Sequence, residues 1–318
     1  MDDILVTGSN IDEVHVLKHH LHSSFGIKDL GQLHYFLGFE VSHLPEGISL
    51  SQRKFTQDLL IDSGFSTCKS VATPLPLNFK LDPDAGDLLQ DPSHYRTIIG
   101  KLNFLTNSIP DLSYAVQTLS QFMQSPRSSH LLALEHTLRY LKGTSGQGIL
   151  LKVDGPLILK AFSDSDWASC SFSRRSVTGY MMLLGTSPIS WKSKKQPTVS
   201  KSSAEAEYRA MSQAAAEVTW LVRLMSELGI PHSQPDTLHC DNQSAIQIAK
   251  NPVFHERTKH IEIDCHFTRD KILDGLLQLA YIPTDLQLAD ILTKILPSPQ
   301  HKEILSKLGL VDCSPSLA

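Results

Sequence analysis

Residues 160–168 read KAFSDSDWA, an apolar start followed by two acids. The stretch predicts a strand that ends in carboxylates. Asp164 and Asp166 stand two positions apart, so an extended backbone turns both side chains to the same face. There they repel each other unless a cation lies between them, and a divalent metal ion would relieve that repulsion. A strand that runs out into a polar turn is the alternative, because Asp and Ser are common turn residues.

Further strand-like segments surround this stretch from about residue 147, and a long helical pattern follows them over residues 201–228. Apolar residues in that helix, among them Tyr208 and Met211, recur by threes and fours. Shorter strands and helices then alternate, with a last helix predicted over 285–295. Strands first and alternating elements afterwards indicate an α/β (α+β) sheet with helices on both faces.

The first half of the chain has a different texture. Apolar residues at Ile11, Val14 and Leu17 follow a 3.6-residue period, which predicts a helix over 11–25 with one buried face. Residues 74–92 are rich in Pro, Asp and Leu without any period, which is typical of a linker or a long loop. Helical segments that end at Pro or Gly then lead to the strand-rich half.

The composition limits the class of protein. With 318 residues, 41% of them hydrophobic, the chain is expected to form about two domains. It has neither an apolar run of the roughly 20 residues that a membrane span needs nor a signal-peptide pattern. We therefore expect an intracellular protein, cytoplasmic or nuclear, that is not secreted and has no membrane partner. The five cysteines show no C-x-x-C spacing, which predicts free thiols.

Three further acids stand where predicted elements begin or end. Glu207 lies in the first turns of the long helix, Asp241 follows a short strand, and Asp290 lies in the last helix, on the side opposite its apolar residues. Singly, each acid is more often a helix cap or a solvated side chain than a catalytic group. Together with Asp164 they would meet where strands end in an α/β sheet, and four close carboxylates are stable only around divalent cations. That layout is typical of a two-metal phosphodiester site.

The motifs around these acids resemble those of a known family. Four segments are similar to the acidic motifs of the RNase H domain of copia-type LTR retrotransposon Pol polyproteins: DSDWA at 164–168, SSAEAEY at 202–208, CDN at 240–242 and LADILTK at 288–294. The segments MDDIL at 1–5 and YFLGFE at 35–40 are similar to the end of the polymerase Tyr-x-Asp-Asp motif and to the primer grip. The resemblance extends from residue 2 to about residue 297.

The resemblance implies a fold and a division of the chain. The fold is an RNase H-like mixed sheet flanked by helices, preceded by a partial reverse transcriptase palm and a helical thumb or connection region. The implied ranges are 1–68 for the partial reverse transcriptase, 69–92 for a linker or long loop, 93–146 for the helical region, 147–297 for the RNase H-like domain and 298–318 for a C-terminal tail.

The resemblance also implies an activity, which is hydrolysis of the RNA strand of RNA–DNA hybrids by a two-metal mechanism. The implied metal ligands are Asp164, Glu207, Asp241 and Asp290, holding two Mg²⁺ ions or Mn²⁺ in their place. Glu205 competes with Glu207 for its position. Asp166 competes with Asp164, and we expect it to support the site from beside the ligand.

Basic residues near the predicted site are candidates for contacts to the nucleic-acid backbone, although the net charge of −4 argues against a uniformly basic surface. They are Arg174, Arg175, Lys192, Lys194, Lys195 and Lys201. A solvated surface loop is the more common explanation of such a run. The expected partners are an RNA–DNA hybrid and the remainder of the Pol polyprotein.

The polymerase half departs from the family pattern. Asp2 and Asp3 would be half of a vestigial polymerase site, because the third metal-binding Asp and the fingers lie upstream of this point in such polyproteins. DNA polymerisation is therefore not expected. The rival to the nuclease hypothesis is an inactive, truncated retroelement remnant that binds nucleic acid weakly or does no chemistry.

Overall fold

The computed structural model describes residues 3–77, 81–230, 234–250 and 262–312, with the backbone alone for 262–265 and 311–312. Its first part has short strands beside a group of helices. The elements are α1 (Ile11–Phe25), β1 (Tyr35–Phe36), β2 (Phe39–Leu44), β3 (Gly47–Ser51), α2 (Arg53–Asp62), α3 (Ser93–Leu105), α4 (Leu112–Ser120), α5 (Ser128–Gly143) and β4 (Gln147–Lys152).

The second part alternates strands and helices. Its elements are β5 (Leu159–Asp166), β6 (Val177–Leu184), β7 (Ser187–Lys195), α6 (Ser203–Glu227), β8 (Asp236–Cys240), α7 (Gln243–Lys250), α8 (Glu262–Leu273), β9 (Leu277–Tyr281), two 3₁₀ turns (Thr284–Leu286 and Leu288–Leu292), α9 (Ser298–Lys307) and β10 (Leu310–Asp312).

The strands of the second part form a five-stranded mixed sheet in the order β7-β6-β5-β8-β9. β5 pairs antiparallel with β6, and β6 with β7, whereas β8 runs parallel to both β5 and β9. Helices α6, α7 and α8 pack on one face, while the second 3₁₀ turn and α9 pack on the other. The predicted α/β class is confirmed, and this strand order with its directions is that of an RNase H-like fold.

The side chains of β5 alternate between the two faces of the sheet, so this strand contributes to the core on each face. Leu159 and Ala161 point to the α6 side and join its core, whereas Phe162 points to the opposite side and packs near Leu292 and Ile304. Successive side chains of a strand point to opposite faces. Asp164 therefore shares the face of Phe162, which is the face that the second 3₁₀ turn covers.

The first part has its own core and its own sheet. Helices α2 to α5 enclose a cluster of fully buried side chains that includes Tyr95, Leu102 and Leu134. The second sheet of the molecule has the order β1-β2-β3-β4-β10. Strand β4 pairs with β3 and with β10. Strand β4 lies inside the range 147–297 predicted for the RNase H-like domain, and its hydrogen bonds join β3 of the first part to β10 of the second.

Two local expectations were wrong. Helix α1 forms as predicted, yet none of its residues is buried. The helix predicted over 285–295 is instead two 3₁₀ turns. The range 298–318, predicted as a C-terminal tail, begins with α9, whose Ile304 packs against the sheet, and continues into β10. Among the described residues, no helix combines the length and the apolar character that crossing a membrane requires.

Candidate active site

Asp164 lies near the end of β5 and is 2% exposed. Its carboxylate accepts a hydrogen bond from the Thr293 hydroxyl, and the Lys294 ammonium lies 3.7 Å from Oδ2. Burial raises the pKa of Asp164, and the positive charge of Lys294 only partly opposes this rise. Asp166 is half-exposed at the end of the strand, and burial followed by the Asp164 charge raises its pKa as well.

Glu207 of α6 faces the end of β5. Its Oε1 accepts a hydrogen bond from the backbone N–H of Ser165 at 3.1 Å. Burial raises the pKa of Glu207 well above its ordinary value, and the charges of Asp164 and Asp241 raise it further. The structure thus brings Glu207 beside Asp164.

Glu205 has a different place. One of its oxygens lies 3.0 Å from the Arg209 guanidinium, and the other accepts the backbone N–H of Lys201 at 2.9 Å. Its own N–H donates to the Ser202 hydroxyl, which caps α6. These contacts are those of a helix start, where a carboxylate near the N-terminus is favourable.

Asp241 directly follows β8 and is half-exposed. Its Oδ2 accepts a hydrogen bond from the Thr284 hydroxyl at 2.8 Å. A thiol joins the carboxylates here, because the possible ligand atoms of Glu207, Cys240 and Asp241 all lie within 4.8 Å of one another. The pKa of Cys240 is raised by burial and then by the Glu207 charge.

Asp290 lies in the second 3₁₀ turn and is 1% exposed, so the alternative of a solvated side chain does not apply to it. The turn lies against the sheet, and this contact buries the carboxyl group. Burial raises the pKa of Asp290 to about 7, and the charge of Asp164 adds to the rise. Lys294 Nζ lies 2.9 Å from its Oδ1.

Lys294 is the residue whose part in the site the sequence analysis did not foresee. It lies between Asp164 and Asp290, and it stands inside the LADILTK motif quoted above. Burial alone would lower the pKa of this ammonium, but the two carboxylates outweigh burial and raise it. Its position four residues after Asp290 could have indicated this contact from the sequence, because residues so spaced on a helix lie on one side.

Gly179 of β6 allows the second 3₁₀ turn to approach the sheet beside Asp164, its register partner. A Cβ at this position would lie 2.6 Å from Thr293 Cγ2, 2.9 Å from Leu292 Cβ and 3.0 Å from the Ala289 carbonyl oxygen. Real Cβ atoms do not approach so closely. The missing side chain of Gly179 therefore makes room for the turn that carries Asp290.

Most of the predicted nucleic-acid contacts lie on the surface. Arg174, Arg175, Lys192, Lys194 and Lys201 are exposed. Lys195 is engaged inside the protein: its ammonium donates to Gln121 at 2.7 Å, lies 2.9 Å from Cys170 Sγ and stands 4.4 Å above the Phe172 ring. Of the predicted polymerase remnant, Asp3 is exposed and Asp2 lies outside the described residues.

The acids fit divalent cations by their chemistry. The four carboxylates come from four different segments of the chain and interact electrostatically. The charges of Asp164 and Asp241 raise the pKa of both Glu207 and Asp290. Lys294 compensates part of this negative charge. Hard cations such as Mg²⁺ prefer oxygen ligands of this kind, and they would remove the repulsion that raises these pKa values.

Comparison with known families agrees with the resemblance noted in the sequence. The reverse transcriptase (RNA-dependent DNA polymerase) family profile matches residues 1–76. The chain is 45% identical over 316 residues to the retrovirus-related Pol polyprotein from transposon RE1 of Arabidopsis thaliana, covering 99% of this chain but 22% of that polyprotein. It is 31% identical over 221 residues to the putative transposon Ty5-1 protein of Saccharomyces cerevisiae, covering 69% of this chain and 72% of that protein.

Among solved structures, the chain is similar to LC11-RNase H1, which was determined in complex with an RNA/DNA hybrid. The match has 13% identity and a TM-score of 0.30, and it covers 42% of this chain and 93% of that chain. The fold assignment rests on the strand order and directions of the sheet and not on this superposition.

Proposed function

The chain belongs to the copia-type Pol polyprotein family of retrotransposons, and we propose that its RNase H-like part hydrolyses the RNA strand of RNA–DNA hybrids. The chain spans 22% of the RE1 polyprotein, so the activities of the longer protein are not assigned to it. Asp164, Glu207, Asp241 and Asp290 are the proposed ligands of two Mg²⁺ ions, or of Mn²⁺ in their place.

One observation supports this proposal most directly. Carboxylates from a strand, a helix, a loop and a 3₁₀ turn lie within electrostatic range of one another, and the pKa values of three of them are raised. A protein gains no stability from burying like charges together, so such a group is typical of a functional site.

Different residues of the chain have different roles in the proposed reaction. Bound metal ions would supply Lewis acidity at the scissile phosphate and lower the pKa of an attacking water. Asp164 is central, because its carboxylate contacts the Thr293 hydroxyl and faces Lys294, next to Asp290. Lys294, which contacts both Asp164 and Asp290, limits repulsion among the acids. The five exposed basic residues would contact phosphates without sequence preference, while the 2′-hydroxyl identifies the RNA strand.

The division of the chain follows from the same proposal. We propose that residues 147–297 contain the nuclease unit, with residues 1–68 and 93–146 as parts of the polymerase and its helical connection. The remaining ranges, 69–92 and 298–318, join and end these units. The rest of a Pol polyprotein is the proposed protein partner.

A hybrid-cleavage assay tests the function. We expect the purified chain to cut a labelled RNA–DNA hybrid with Mg²⁺ and to lose this activity in EDTA. Asp164→Asn removes one charge from the metal ligands and should lower the cleavage rate by about 10²–10³-fold, the usual cost of losing one charge-stabilising group. Asp12→Asn, the same change on exposed α1, is the control and should cut at the wild-type rate.

Two results would contradict the proposal. If the wild-type chain does not cut the hybrid, the chain is an inactive remnant. If Asp164→Asn cuts as fast as the wild type, a contaminating nuclease or another site is responsible. Duplex DNA and duplex RNA of the same sequence complete the experiment, since neither should be cut.

A further inference from the structure

Two buried glutamines lie beside the acid cluster, and neither belongs to the proposed set of ligands. Gln196 follows β7 and is 1% exposed, and Gln287 stands between the two 3₁₀ turns and is 0% exposed. A buried side-chain amide is costly unless its donors and acceptors find partners. The partners of these two amides are therefore informative.

Gln196 connects three elements. Its Nε2 lies 2.9 Å from the carbonyl oxygen of Ala206, 3.0 Å from the Thr178 hydroxyl and 3.2 Å from the Ser165 hydroxyl. Its Oε1 accepts a hydrogen bond from the Ser200 hydroxyl at 2.9 Å. The amide thus joins the end of β5 to β6 and to the first turn of α6.

Gln287 connects two elements on the other side of the same strand. Its Nε2 donates to the carbonyl oxygen of Ser163 at 3.0 Å. Its Oε1 accepts the backbone N–H of Ala289 at 3.2 Å, which caps the turn that carries Asp290. The amide thus joins this turn to β5.

The two sets of contacts follow one plan. Gln196 bonds residues that adjoin Asp164 and Glu207, and Gln287 bonds residues that adjoin Asp164 and Asp290. Each amide therefore fixes the spacing between the β5 carboxylate and one other carboxylate. Without these hydrogen bonds, no side chain of either glutamine would join α6 or the second 3₁₀ turn to β5 at these points.

We infer that Gln196 and Gln287 are positioning residues that hold α6 and the second 3₁₀ turn against β5, so that the carboxylates keep the separation that divalent cations require. This inference rests on the proposed function, because it concerns the same acids. It differs from a purely structural role, in which the amides would stabilise the fold without affecting metal binding. Groups that hydrogen-bond metal ligands typically change metal affinity by about 10–100-fold when they are replaced, and these two amides bond the residues next to the ligands.

Substrate-free Mn²⁺ binding measured by electron paramagnetic resonance tests the inference on the full chain. Gln196→Met and Gln287→Met keep the size of the side chain and remove its hydrogen bonds. We expect each to weaken Mn²⁺ binding at least 10-fold relative to the wild type and to lower hybrid cleavage in parallel. Added Mn²⁺ should recover most of the cleavage, as expected when the ligands are displaced but present.

Gln52→Met provides the matched control. Gln52 is also 1% exposed and accepts a hydrogen bond from the Ser108 hydroxyl at 2.7 Å, but it lies at the start of α2 in the first part of the chain. Its replacement should lower thermal stability in EDTA and leave Mn²⁺ affinity unchanged. If a methionine variant does not fold, Gln196→Asn and Gln287→Asn keep the amide but shorten its reach by one methylene, and they should also weaken Mn²⁺ binding.

The outcomes separate the inference from the proposed function. If the wild type binds Mn²⁺ and cuts the hybrid while the folded variants at both glutamines bind Mn²⁺ as tightly as Gln52→Met, the amides are structural only and the inference is wrong. If the wild type neither binds Mn²⁺ nor cuts, the proposed function itself fails.

Discussion

Helices α1 and α6 have similar apolar patterns but differ in how far they are buried. Each repeats apolar residues by threes and fours, yet α6 has twelve buried residues and α1 has none. Ile11 of α1, a residue of its apolar pattern, is 64% exposed, whereas Met211 of α6 is 0% exposed. The period of a pattern predicts a helix and its apolar side, and the neighbours alone decide whether that side is buried.

Local signals account for α1 without burial. The Asn10 side chain accepts the backbone N–H of Asp12, which satisfies one free donor at the helix start. Gly26 adopts a left-handed conformation with φ of 65° and closes the other end. Helix α6 adds to its own cap, Ser202, an apolar side that faces three strands and two helices. Packing of α6 is therefore expected to contribute more to stability than α1 does.

The largest expected effect is a stability difference between the two helices. Met211→Ala leaves a cavity in the core beneath α6 and should lower the free energy of unfolding by about 2–5 kcal/mol. Ile11→Ala, on the apolar side of α1, removes mostly exposed atoms and should stay within about 0.5 kcal/mol of the wild type. Urea unfolding measures both. Equal losses in the two variants would mean that α1 has a packing partner in solution.

A smaller effect concerns pH and again separates the regions. The pKa of Asp290 is about 7 in the folded chain and near 3.8 in the unfolded chain, so between these values the folded state binds the extra proton. Stability in EDTA should therefore fall as the pH rises through this window. The raised pKa values of Asp164 and Glu207 act with the same sign. Between pH 5 and 7 this contribution is expected to change by up to about 3 kcal/mol, since one pKa unit corresponds to about 1.4 kcal/mol.

Asp290→Asn isolates this contribution. Its unfolding free energy should depend less on pH between 5 and 8 than that of the wild type, measured in urea with EDTA. The buried histidines also contribute to the pH dependence of stability, as His130 does, because burial lowers its pKa. Comparing the two proteins cancels this contribution. Glu13→Gln on exposed α1 is the control and should keep the wild-type pH dependence. A wild-type chain and an Asp290→Asn variant with the same pH dependence would contradict the prediction.

The same contrast between local and distant determinants explains what the sequence predicts. Helix α1 and strand β5 were predicted because caps, periods and turn residues lie within the segments themselves. The 3₁₀ turn of Asp290 was not, because it depends on the close approach to Gly179 on another strand. Strand β10 was taken as tail, because its pairing partner β4 lies far away in the chain.

The site divides in the same way. Sequence motifs indicated the four carboxylates, since acids at the ends of predicted strands and the starts of predicted helices can be identified from the sequence. The hydrogen bonds that surround these carboxylates cannot be identified from the sequence. Gln287 meets the carbonyl of Ser163 across a separation of 124 residues, and Gln196 meets Ser165 across 31. A lone glutamine in a sequence carries no signal of such a partner, so these roles required the folded chain.

The smallest expected effect concerns the basic residues. Lys194 is exposed on β7 of the mixed sheet β7-β6-β5-β8-β9, and Lys28 is exposed after α1. If hybrid binding is confined to the second region, Lys194→Ala should reduce the slope of log Kd against log salt by about 1, the contribution of one phosphate contact. Lys28→Ala should leave the slope unchanged. Fluorescence anisotropy in the Asp164→Asn background measures binding without cleavage.

Lys195→Ala sharpens this test. Its ammonium already contacts Gln121 and Cys170, so its charge is less available to a phosphate than that of Lys194. Its replacement should change the salt slope less than Lys194→Ala and should lower stability more, because it removes contacts within the protein. The opposite order would show that Lys195 leaves its internal partners when the hybrid binds. A reduced slope for Lys28→Ala would place part of the hybrid on the first part of the chain, and hybrid binding would then not be confined to the RNase H-like sheet.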